Sequence, residues 1–309
     1  MTLQVLPLKI VRTLELDHAS SRRCFSAASG MWVENDRLYV VADDALELGV
    51  FDLQSGQPGR GLRILHGALP DDPAQRKKLK PDFESLTRVP DSHRYPHGAL
   101  LAFGSGSTQQ RKRAMAWAFA SPGQLAEAPE LFSLQALYEP LEAQFADLNI
   151  EGLVIQGNKL MLWQRGNNLN PQSSLIEYRL DEVFRLLDQQ PGAAQALQPL
   201  HIEHYALGRV EGVPLTFTDA CALEDGGYLF TAAAENTEDS YRDGECVGAA
   251  IGLIGPDRQL KGMWPVEPAH KIEGISAKRA NDGRLRILLV TDADDPQTPA
   301  LLLETWLSI

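Results

Sequence analysis

Five short phrases hold the residues best suited to chemistry: Ser29-Gly-Met-Trp-Val33, Glu84-Ser-Leu-Thr-Arg-Val89, Glu151-Gly-Leu-Val-Ile155, Asp219-Ala-Cys-Ala-Leu223 and Glu273-Gly-Ile-Ser-Ala277. Each opens on a small or acidic residue and runs into an apolar stretch. If the openings are equivalent positions of a repeat, Glu84, Glu151, Asp219 and Glu273 converge. Carboxylates brought that close cannot all stay ionised uncompensated, so cations must balance them or their pKa values must rise. The expected chemistry is hydrolytic. A divalent cation, Ca²⁺ or Mg²⁺, held by some of these four would lower the pKa of a bound water. A carboxylate left unliganded would take the proton, so the same four are the catalytic candidates. Arg165, Lys271 and Lys80 are the expected anchors for the anionic part of a small substrate, an ester or a phosphoester. Lys271 precedes Glu273 by two residues and so shares its strand face; Asp82 joins the same network. The competing reading is an internal ion-pair ring that ties the repeats together, in a non-catalytic protein that binds a ligand or another protein.

A second oxygen-rich set comprises Asp43, Asp44, Gln164, Arg165, Asn167, Asn168, Glu235, Asn236, Asp292, Asp294 and Asp295. Its ligand types suit Ca²⁺ or Mg²⁺ better than zinc, and its plain reading is polar strand ends. Spacing alone does not say whether it meets the first set at one end of the molecule. Other candidates are weaker. His201 and His204 are three apart in an expected strand and face opposite sides. Cys24, Cys221 and Cys246 form no C-x-x-C and read as reduced thiols. Gly104-Ser-Gly-Ser-Thr108 lacks the Gly-Lys-Ser of a phosphate loop. Arg76-Lys-Lys78 and Arg111-Lys-Arg113 read as solvated basic faces.

The elements that must position these residues are strands. After each opening comes a turn rich in Gly, Asn or Asp, the residues that tolerate the backbone of a hairpin. Examples are Glu34-Asn-Asp36, Gln156-Gly-Asn158 and Asn281-Asp-Gly283. A second apolar strand follows, as in Arg37-Leu-Tyr-Val-Val-Ala42 and Lys159-Leu-Met-Leu-Trp-Gln164, and then a third. The first four units add a more polar fourth strand, such as Glu130–Ser133 and His201–Tyr205. The fifth unit lacks one, and the N-terminal stretch Leu8–Leu14 lacks a hairpin, so the two ends should complete each other. The pattern predicts an all-β fold, a β-propeller of about five four-stranded blades whose N-terminal strand closes the last; six blades is the alternative. The openings lie about 54 to 68 residues apart, more than the ~40–50 of a minimal blade. Insertions account for the excess: Pro70–Lys80, a short helix over Leu180–Asp188, and a polar loop over Glu235–Glu245.

Composition bounds the rest. The chain has 309 residues, 44% hydrophobic and 23% charged, with a formal net charge of −12. No interdomain linker is visible, so residues 1–309 are expected to form one domain. The acidic field disfavours nucleic acid as a partner. No apolar run is long enough for a bilayer, and the N-terminus lacks the pattern of a signal peptide; a cytoplasmic setting is expected.

Phe83-Glu-Ser-Leu86, Asn149-Ile-Glu-Gly-Leu153 and Lys271-Ile-Glu-Gly-Ile275, with the acidic strand ends Asp43-Asp44 and Thr291-Asp-Ala-Asp-Asp295, resemble the esterase-like and phytase-like propeller group. The resemblance spans most of the chain as a rhythm of short motifs. It implies a calcium-binding hydrolase; the chain is most similar to uncharacterised bacterial cytoplasmic members of that group.

Overall fold

The computed structural model describes residues 4–70, 72–189, 195–238 and 244–309. Five antiparallel sheets stand in a ring as a five-bladed β-propeller. Blade 1 consists of Ala28–Glu34, Arg37–Ala42, Glu47–Asp52 and Arg60–Arg63. Blade 2 is built on Phe83–Val89, Ala99–Gly104 and Arg113–Ser121, with Gln124–Leu125 and Glu130–Ser133 both pairing the third strand. Blade 3 is Ile150–Gln156, Lys159–Gln164, Ser173–Arg179 and His201–Tyr205. Blade 4 is Val213–Ala222, Tyr228–Glu235, Cys246–Ile254 and Leu260–Glu267. Blade 5 is Ile272–Arg279, Leu285–Thr291 and Leu301–Leu307. Its outer strand is the N-terminal Lys9–Thr13, antiparallel to Leu301–Leu307. The expected ring closure is therefore present. Leu6–Pro7 adds a parallel pairing to Val266–Glu267 of blade 4.

The core is divided into five apolar layers, one between each pair of adjacent sheets. Phe103 of blade 2, Tyr95 from the connection between its first two strands and Tyr138 from the helix after it meet Leu160, Ile176 and Tyr178 of blade 3 in one layer. Trp163 meets Phe217 and Phe230 in the next, with ring centroids 4.7 and 5.9 Å away. Apolar residues on both faces of the second and third strands supply both layers at once, which is why strands such as Ala99–Gly104 and Lys159–Gln164 read as near-continuous hydrophobic runs.

The inner strands crowd the axis, and this explains the small residue after each opening. A Cβ on Gly30 would lie 2.4 Å from the backbone nitrogen of Leu86 in the next blade. On Gly274 it would lie 2.5 Å from the carbonyl of Ser29. Each inner strand also carries a β-bulge here, for the register with the second strand slips between Ala28 and Met31, Phe83 and Ser85, Ile150 and Gly152, Phe217 and Asp219, and Ile272 and Gly274. A bulge inserts one residue and re-aims its side chain. Glu84, Glu151 and Glu273 are the inserted residues.

The insertion between blades 1 and 2 folds as a helix, Pro73–Leu79, whose N-terminus is capped by Asp72 accepting from the Gln75 N–H at 2.9 Å. The expected helix over Leu180–Asp188 spans Leu180–Leu187. A further helix, Gln135–Glu142, escapes the sequence pattern because Pro140 sits inside it. Of the polar loop expected over Glu235–Glu245, residues 239–243 lie outside the described residues. Among the described residues no helix is long and apolar enough to cross a membrane.

Candidate functional site at the channel mouth

Because the first two strands of every blade are antiparallel, the start of the first lies beside the end of the second. The two acidic sets therefore meet at one end of the channel. Ser29, Glu84, Glu151 and Glu273 line that mouth together with Asp43, Arg165, Glu235 and Asp292 from second-strand ends. Lys80, Asp82, Arg111 and Lys271 complete its charged wall. The enclosed space is about 60 Å³, enough for a few waters or an ion with its waters.

Asp219 is a correction to the alignment of the five openings. In blade 4 the bulged residue is Thr218, one position earlier, and its hydroxyl is tied to Thr231 Oγ1 at 2.9 Å. Asp219 instead falls in register with Gly152 and Gly274. Its carboxylate enters the seam between blades and accepts the Ile275 N–H at 2.9 Å. It does not line the mouth. The carboxylate that blade 4 contributes is Glu235.

Three cations organise the wall. Arg165 lies 3.3 Å from Glu151, 2.6 Å from Glu235 and 3.8 Å from Glu273. Lys271 lies 3.0 Å from Asp292, 2.7 Å from Asp294 and 3.9 Å from both Glu235 and Glu273. Lys80 pairs with Asp43 and stands 2.9 Å from Asp82. All three expected anchors are thus at the mouth, engaged with acids of the wall.

Arg111 and Lys77 are two cations of the lining that sequence reasoning missed. The run Arg111-Lys-Arg113 read as a solvated face, yet Arg111 is 3% exposed and pairs with Asp82 at 2.9 Å. Lys112 is also buried and pairs with Glu142 at 2.6 Å. Gly104-Ser-Gly-Ser-Thr108 is no flexible exit either: Ser105 is fully buried and donates to Asp82, while Ser107 accepts from Arg111 at 2.8 Å.

These contacts push the carboxyls apart in acidity. Burial would raise Asp82, but Lys80, Arg111 and the Ser105 hydroxyl hold it below the usual range. Burial likewise opposes ionisation of Glu235, and Arg165, Lys271 and the Gly244 N–H overcome it. Glu84 goes the other way. Burial, then Asp82, Glu151 and Asp43, raise it well above normal against the pull of Lys80. Burial also lifts Glu273 well up despite Arg165, and both its oxygens are sealed from solvent without a hydrogen bond among the described residues. Asp43 is pushed up to about 6 by burial and its acidic neighbours, with Lys80 opposing.

One subset has the geometry of a cation site. Carboxylate oxygens of Asp43, Asp82 and Glu84 lie within 4.8 Å of one another. Asp43 Oδ1 is buried with no hydrogen bond, and Glu84 makes no hydrogen bond or ion pair among the described residues. The donors are all hard oxygens, which fit Ca²⁺ or Mg²⁺. A cation here would share Asp43 and Asp82 with Lys80.

A model of the family described as "Family of unknown function (DUF6929)" matches residues 24–307. No curated protein matches the sequence. Among solved structures, the glutaminyl cyclase of Myxococcus xanthus is similar at 12% identity and a TM-score of 0.48, covering 99% of this chain and 100% of that one. A structure described as "putative exo-beta-1,3-galactanase" from Bifidobacterium bifidum s17 is similar at 9% identity and a TM-score of 0.51, covering 97% and 94%. The endo-arabinase of Bacteroides thetaiotaomicron VPI-5482 is similar at 13% identity and a TM-score of 0.45, covering 96% and 98%. At such identities the likeness is one of fold alone.

Proposed function

The chain belongs to that family of unknown function, and from the mouth we propose a divalent-cation-binding propeller that hydrolyses a small ester or phosphoester. The observation that carries the reading is the charge count around a very small space. Among the described residues, carboxylates outnumber cationic side chains eight to five along the lining. The excess has to be met by protons or by a bound cation, and Asp43, Asp82 and Glu84 offer oxygens at the right separation.

A cation there would polarise a substrate oxygen and acidify a water. The chain's own residues do the rest. Glu151, which lines the same space outside that trio, would take a proton from the attacking water. Lys80, Lys271 and Arg165, already desolvated, face the anionic group of a substrate docked over the mouth. The esterase-like and phytase-like rhythm of the sequence agrees with this chemistry. The three cysteines are free, which fits a reducing, cytoplasmic setting.

A second reading has its own support, since Lys80 already stands between Asp43 and Asp82. In that reading the mouth is an ion-pair ring that clamps the blades. Melting curves with and without Ca²⁺ or Mg²⁺ separate the two, because a ligand specific to the folded state stabilises by mass action. Wild type should melt higher with one of the ions, Glu84→Gln should not respond, and the same ion should promote p-nitrophenyl acetate or p-nitrophenyl phosphate cleavage. Melting that ignores both ions would leave the ring reading standing.

A further inference from the structure

The other end of the channel is chemically opposite to the mouth. The residues after the small position, Met31, Leu86, Leu153, Ala220 and Ile275, are all nearly inaccessible to solvent and form an apolar ring across the channel. They line a cavity of about 630 Å³ that continues past Val154, Ala277 and Leu288. None of the five belongs to the mouth. The crowded ring of Gly30, Ser85, Gly152, Asp219 and Gly274 lies between the two spaces in the register of the strands.

We infer that this cavity is a second ligand site, for a small amphipathic carboxylate whose apolar body enters the channel and whose charged end stays at the rim. The volume falls within the range of small-molecule sites, which are mostly apolar with a few polar groups fixing orientation. Charge at the rim selects the ligand. Glu34 is engaged by Arg88 at 3.1 Å, and Arg286 by Glu304 at 2.5 Å. Lys278 lines the same cavity, is exposed, and makes no hydrogen bond or ion pair among the described residues. It stands on the inner strand itself, directly after Ala277. Its long apolar stem can lie along the cavity wall with the ammonium over the opening. Asp36, the other rim charge without a side-chain partner among the described residues, sits in the hairpin turn of blade 1 on a much shorter side chain. The site is independent of whatever the mouth binds.

Calorimetric titration with octanoate, 1-octanol and octylamine tests the inference on the full chain. Octanoate should bind at least about tenfold tighter than octylamine. Lys278→Met should weaken octanoate about tenfold and leave octanol unchanged, because it removes only the exposed charge. Ala277→Phe, which adds a ring to the lining, should abolish binding of all three while the mouth's response to divalent cations persists. Should Ala277→Phe fail to fold, competition of octanoate with a fluorescent apolar carboxylate on wild type and Lys278→Met gives the same answer. Tighter binding of octylamine, no binding of octanoate to wild type, or octanoate binding indifferent to both substitutions overturns it.

Discussion

Arg165, leaving the second strand of blade 3, donates to Glu235 of blade 4 across the seam at 2.6 Å. The same guanidinium stands 3.3 Å from Glu151 of its own blade and 3.8 Å from Glu273 of blade 5. One buried cation therefore links three blades at the level of the mouth.

Removing that cation should be far worse than removing one of its partners. Arg165→Met leaves Glu151, Glu235 and Glu273 without their shared counter-charge, and breaking a buried pair this way costs ~3–5 kcal/mol. Glu151→Gln leaves Arg165 its contact with Glu235, and relieves repulsion among the acids, so its loss should be much smaller. Urea denaturation of the two variants measures the order; equal losses would show that Glu151 alone carries the pairing.

Stability should fall as pH rises through the mildly acidic range. Asp43, raised to about 6 by burial and its acidic neighbours, holds its proton more tightly folded than unfolded. Glu84 and Glu273 are raised in the same direction, chiefly by burial. A group raised in this way contributes stability that is complete below its unfolded pKa and is lost as pH climbs through its folded one. Asp82 and Glu235, held low by their cations, act in the opposite sense at lower pH. Melting temperature should therefore be higher near pH 5.5 than near 7.5. A divalent cation, competing with protons, should raise it more at 7.5. A flat profile between those values would contradict the raised carboxyls.

The crowding of inner strands predicts a sharp contrast between glycines. Gly30→Ala places a methyl 2.4 Å from the Leu86 nitrogen, an atom that cannot move without shifting a blade. Overpacking of this kind costs about 1–3 kcal/mol. Gly56→Ala has nothing within 4 Å and should be neutral. Thermal denaturation of both decides it.

Deleting residues before Asp17 should open the ring. The strand Lys9–Thr13 is lost, the edge of Leu301–Leu307 is bared, and the buried side chains of Leu6, Leu14 and Leu16 go with it. Each such leucine is worth roughly 1.5–3 kcal/mol, and an open strand edge invites association. The truncated protein should aggregate or melt well below wild type; an unchanged melting curve and monomer peak would sink the closure.

Much of the architecture follows from local signals. Strand periodicity and turn residues mark His201–Tyr205 to the residue, and the apolar spacing of Leu180–Leu187 gives its helix. The unpaired N-terminal strand and the incomplete fifth unit imply each other. Lys80, Arg165 and Lys271 were legible as partners of the acids, because like charges at equivalent repeat positions demand compensation. Three things needed the tertiary structure. A bulge adds one residue without any local mark, so Thr218 and not Asp219 falls in register with Glu84, Glu151 and Glu273. A basic run looks the same whether water or protein surrounds it, so the burial of Arg111 beside Asp82 had no sequence sign. The cation-competent trio of Asp43, Asp82 and Glu84 joins the end of one blade's second strand to the start of the next blade's first. That proximity is set by how sheets stack around an axis, a long-range packing relation that residue spacing does not encode.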